Sequence, residues 1–161
     1  MLPISGMRKL KLVTVCTIIT ISIAILTGPV YLNATTAKSP CRIEVSIAHI
    51  SKDILAKTGR RAVKVDAFSK CNVTQSKVTL TVELWKVGEI GNHFLTLRVK
   101  RSPGFTMPGR HVENFDTYVF CKDRTLTNYF GVAHSKAFIA GKWQFAHHVL
   151  SRKIIPIHCG T

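Results

Sequence analysis

Residues 62–68, AVKVDAF, set Val63, Val65 and Ala67 against Lys64 and Asp66. A two-residue period of this kind marks a strand with one buried face. The same alternation predicts a strand over 43–47, with Ile43, Val45 and Ile47 on one side. Over 78–87 it places Val78, Leu80, Val82 and Leu84 inward, with Trp85 and Val87 on the other face near the end. Over 94–100, Leu95, Leu97 and Val99 are expected inside while Thr96, Arg98 and Lys100 face water. The stretch GEIGN, 88–92, joins these two segments as a hairpin. Residues 101–116 hold two prolines and two glycines and are expected to form the main loop. Further strands are expected over 117–123 and 128–141, and in WQFAHHVL and KIIPIHC at the C terminus. Residues 50–59 alone offer a helical turn, with Ser51 as cap and Gly59 as stop. Together these segments predict an all-β fold, an antiparallel two-sheet sandwich of immunoglobulin-like architecture with about seven strands. A small closed barrel is the second choice.

The first 37 residues break the pattern. Arg8, Lys9 and Lys11 precede residues 12–27, which are 16 positions without charge or proline, and Gly28 and Pro29 follow. This is the order of an export signal. The apolar run falls between the ~7–15 residues of a cleaved signal and the ~20 needed to span hydrocarbon. A cleaved signal peptide and a retained anchor helix therefore both stay open, with Thr35 and Ala37 supplying small residues for cleavage after Ala37. Cys16 lies inside the apolar run and reads as a small hydrophobe. The expected division is a signal or anchor over 1–37 and one domain over 38–161, large enough for an ordinary core.

Four cysteines lie outside the signal: Cys41, Cys71, Cys121 and Cys159. An even number in a small exported domain predicts a disulfide framework. The favoured pairing is Cys41 to Cys71 and Cys121 to Cys159, one bridge in each half of the chain, with nested and crossed pairings open. The nearest pair is 30 residues apart, which lacks the short Cys-x-x-Cys spacing of a zinc site. A nucleophilic thiol would have to stay unpaired in an oxidising compartment.

A cysteine followed by VTLTVELWKVG, then Cys121, then NYFGVAHSKAFIAGKW and a closing IPIHC resembles small secreted disulfide-bonded β-domain proteins of actinobacteria. The positions that carry the likeness in the penultimate hairpin are Tyr129, Ala133 and Gly141, and the likeness spans about residues 63 to 159. It implies an exported, cross-linked β domain and says little about activity.

Charge then narrows the partners. The chain carries 23 Lys and Arg against eight acids, and three of the cations belong to the signal. The exported part therefore keeps 20 cations against the same eight acids, or +12 with histidines neutral. Such an excess attracts anionic partners over a range that salt shortens. Arg60, Arg61, Arg98, Lys100, Arg101 and Arg110 are candidates for an anion-binding surface. Anionic lipid, a wall polymer or an acidic protein suits the compartment; nucleic acid does not, and no nucleic-acid-binding motif is present. His147 and His148 are adjacent and would point to opposite faces of a strand, so a metal site would have to be assembled across strands. No metal, cofactor or catalytic residue is assigned, and no hydrolase, metalloprotease or phosphate-loop motif occurs. The expected function is an exported or cell-surface cationic binding module, and not an enzyme. The alternatives are an antimicrobial or toxin-like factor, and a hydrolase built on a carboxylate pair such as Asp116 and Asp123.

Overall fold

The computed structural model describes residues 40–161, so the signal or anchor expected over 1–37 lies outside the described residues. The described residues form nine strands and one short helix. These are β1 (Cys41–Val45), β2 (His49–Ile50), α1 (Lys52–Thr58), β3 (Ala62–Cys71), β4 (Gln75–Gly88), β5 (Gly91–Thr106), β6 (His111–Phe120), β7 (Asp123–Ile139), β8 (Lys142–Leu150) and β9 (Ile155–Gly160). In the first sheet β3 is central, with β1 and β2 along one edge and β6 along the other. In the second, β4 and β7 are central, β5 lies outside β4, and β8 and β9 share the outer edge of β7. Among the described residues every pairing is antiparallel and the strands fall into two separate sheets, so the fold is the expected two-sheet sandwich and not a closed barrel. Nine strands occupy seven ribbon positions because two edges are each built from two short pieces.

The core follows from the alternation. Val63, Val65 and Ala67 of β3 face Val78, Leu80, Val82 and Leu84 of β4, all at or near zero exposure. The helix also forms as its ends dictate. The Ser51 hydroxyl accepts from the Ile54 amide, and Gly59 takes the left-handed conformation that ends the last turn (φ 68°).

Two expectations fail for identifiable reasons. The strand expected over 43–47 stops at Val45, because Ser46 bonds to Asp66 through both its amide and its hydroxyl. Ile47 is consequently turned outward and 44% exposed. The expected main loop over 101–116 is mostly strand, with β5 running to Thr106 and β6 starting at His111. Pro103 is tolerated because β5 is an edge strand, where a missing amide proton faces solvent. Only residues 107–110 remain to make the turn.

The disulfides join Cys41 to Cys71 and Cys121 to Cys159. The first closes the end of the β1–β3 pair, where the two cysteines lie directly opposite. The second leaves the chain just after β6 and enters β9, so it ties one sheet to the other. Two such bridges fit an oxidising, extracytoplasmic setting. Among the described residues no helix is long and apolar enough to cross a membrane.

Beside the second bridge, the fully buried Tyr129 donates its hydroxyl to the Cys159 carbonyl. Tyr129→Phe keeps the ring and removes the donor. Unfolding free energy in urea is expected to fall by about 1–2 kcal/mol, the usual cost of stranding a buried polar group. An unchanged midpoint would show that the hydroxyl contributes nothing there.

Candidate functional site

The outer face of the second sheet can be read row by row from its register. One row runs Arg101, Thr79, Lys136, Phe145, and the next Val99, Thr81, His134. A third runs Leu97, Glu83, Val132, Leu150, and a fourth Phe94, Trp85, Phe130. Trp143, opposite Phe138, extends the face beyond the first row. The face is thus apolar and cationic together: Phe94 is 52% exposed, Trp143 45% and Phe145 65%. The Lys136 ammonium lies 5.4 Å from the Trp143 ring centre, and Lys77 lies 5.7 Å from that of Phe138. Trp85 packs edge-on against Phe94 and stacks on Phe130, which stiffens the opposite end. A groove of about 500 Å³ crosses the middle, lined by Thr81, Val99, Arg101, His134, Phe145 and His148 among others.

The expected facing of β5 is inverted past Leu95. Leu97 and Val99 lie on the outer face opposite Glu83 and Thr81, while Thr96, Arg98 and Lys100 share the sandwich side with Leu84, Val82 and Leu80. The cause is a bulge: Trp85 pairs with Phe94 but Leu84 pairs with Thr96, so Leu95 is an extra residue and the alternation slips by one. Leu95 itself does pack against the core. Arg98 and Lys100 stay exposed even so, because they sit at the sheet's edge. There the buried Asn114 of β6 donates to the Arg98 carbonyl at 3.0 Å and ties the two edge strands together.

The six candidate cations do not form one cluster. Arg98, Lys100 and Arg101 follow one another on β5, with Arg101 on the outer face and the other two on the edge. Arg110 closes the turn at the far end of β5 and β6, where its amide bonds to the Met107 carbonyl. Arg60 and Arg61 lie at the opposite end of β6, roughly 25–30 Å away at ~3.3 Å per strand residue. Arg60 rests on the Phe120 ring at 4.1 Å, and the Arg61 guanidinium donates to the His158 carbonyl. Arg61 thereby braces β9. Lys136, which no sequence pattern singled out, stands in the same row as Arg101.

Of the carboxylates, Asp123 accepts from the Thr125 amide at 2.7 Å. That bond, with others from the Thr125 hydroxyl and the Gly160 amide, holds its carboxyl below the usual range. A general acid needs the reverse, so Asp123 behaves as a turn residue. Asp116 is exposed on β6 beside a bulge. The aromatic belt goes beyond the sequence expectations, although KWQF already alternates polar and aromatic positions. No protein-family model matches the chain, and no curated protein is similar to it.

Proposed function

We propose that this chain is an exported or cell-surface cationic binding module that docks on anionic lipid surfaces through the outer face of its second sheet. The observation that carries this reading is the interleaving of exposed Phe94, Trp143 and Phe145 with Arg101 and Lys136 on one face. Aromatic rings settle at the boundary between headgroups and acyl chains, while cations pair with headgroup phosphates. Arg98 and Lys100 on the adjoining edge add to the same field. A wall polymer or an acidic protein would use the cations but not the rings.

Each cation near an anionic surface contributes about 1 kcal/mol, or roughly fivefold in affinity. The full chain, expressed for export with its disulfides formed, is expected to sediment with phosphatidylglycerol vesicles and not with phosphatidylcholine vesicles at low salt. Most of that binding should disappear near ~1 M salt, where the screening length drops to ~3 Å. Replacing Arg101 and Lys136 by Ala should weaken binding about 25-fold. Equal retention on both vesicle types at all salt concentrations defeats the reading. Retention on wall fractions alone would move the partner to a polyanionic polymer. Growth inhibition of intact bacteria by the purified protein would favour the antimicrobial alternative.

A further inference from the structure

We propose that Glu83, His134 and His148 form a surface site for a divalent transition-metal ion, zinc in the first instance. The inference is independent of the lipid-docking reading. The three residues come from β4, β7 and β8. One donor atom from each lies within 4.8 Å of the other two. In a tetrahedral zinc site the donors stand about 3.3 Å apart, as bond lengths of ~2.0–2.1 Å require. Small side-chain rotations close that difference.

The register explains why these side chains meet. His134 projects from the outer face between Thr81 and β8. Ala133 pairs with Val149 and Ser135 with Ala146, so His147 and His148 together oppose His134. That bulge re-aims His148, as bulges beside functional sites do, and its ring centre lies 4.9 Å from that of His134. Of the adjacent pair, the bulge thus brings His148 to His134.

Three further observations point to a ligand. Nδ1 of His134 is shielded from solvent and has no hydrogen-bond partner, and a buried polar atom in that state carries a cost that a bound ion or its water would remove. Trp85 donates its indole N–H to Oε2 of Glu83 at 2.8 Å, which orients the carboxylate and leaves its other oxygen for a metal, as outer-shell donors do. Glu83 is also the only acid in the four rows of this face. Two imidazoles and a carboxylate suit zinc, copper(II) or nickel and not the all-oxygen preferences of calcium and magnesium. With three protein ligands the site keeps an open position toward the groove.

The test is calorimetric titration of zinc chloride into the full disulfide-bonded chain after chelator treatment. The expected result is one ion per chain. His134→Ala and His148→Ala should each weaken binding by more than ~100-fold, since loss of an outer-shell partner alone costs ~10–100-fold. His93→Ala and His111→Ala should leave it unchanged. His148 is exposed on an edge strand, so its variant decides the matter even if His134→Ala folds poorly. No binding at millimolar zinc, or binding that His148→Ala does not alter, overturns the proposal.

Discussion

Reduction of both disulfides is expected to leave the domain unfolded at about 37 °C. The bridges close loops with sequence separations of 30 and 38 residues. In the chain-entropy account each is worth about 3.5–4 kcal/mol. Their joint loss, about 7–8 kcal/mol, is as large as the whole stability of many domains, which lies at ~5–15 kcal/mol. The two are not equivalent in structure. Each bridge has one fully buried cysteine, Cys71 and Cys159, but Cys41 to Cys71 pins an edge strand inside one sheet, whereas Cys121 to Cys159 holds the two sheets together. Paired Cys→Ala variants should both be destabilised, with the larger loss at 121 and 159, where the longer loop is released and the covalent tie between the sheets is lost. Urea unfolding followed by near-ultraviolet circular dichroism measures this. Midpoints unchanged by reductant would contradict it.

The second large effect is expected at Gly131. It lies opposite Leu84 on the inner face of β7, where side chains of the first sheet pack directly against its backbone. A Cβ there would stand 2.3 Å from Cγ1 of Val65 and 3.0 Å from Cγ1 of Val45. Val65 is fully buried and cannot swing away. Gly131→Ala should therefore cost about 3 kcal/mol or slightly more, at the upper end for overpacking, and Gly131→Val should cost more again. The cause can be isolated by a double-mutant cycle. Val65→Ala is destabilising alone, but combined with Gly131→Ala it should recover part of the loss, with a coupling of about 0.5–3 kcal/mol. Additive effects would mean that the two side chains do not collide.

How much of this was legible in the sequence depends on whether a feature is local. The inward faces of β3 and β4 are written in uninterrupted alternation, and α1 is bounded by its own cap residues Ser51 and Gly59. The facing of β5 is not legible, because the bulge at Leu95 is a property of its pairing with β4, which no single strand reveals. Residues 101–116 carry the composition of a loop but are mostly strand, because Pro103 and Gly104 are breakers only in a strand that is paired on both sides, and β5 is an edge. Ile47 turned outward through a bond between Ser46 and Asp66, 20 residues apart. The outer face and the Glu83, His134 and His148 group need three registers at once, so the sequence offers the residues without their juxtaposition. The disulfide pairing was legible because one bridge in each half of a short chain is the simplest connectivity.

The compartment, the rigidity of the sandwich and the choice of anionic surface partners all rest on oxidised cysteines. The most direct measurement is therefore to fractionate producing cells, trap free thiols with an alkylating mass tag, and map cross-linked peptides without reduction. The account predicts the protein outside the cytosol, with no tag on Cys41, Cys71, Cys121 or Cys159 and peptides joined as 41–71 and 121–159. Full-length chain in the cytosol carrying four tags on these residues would contradict it.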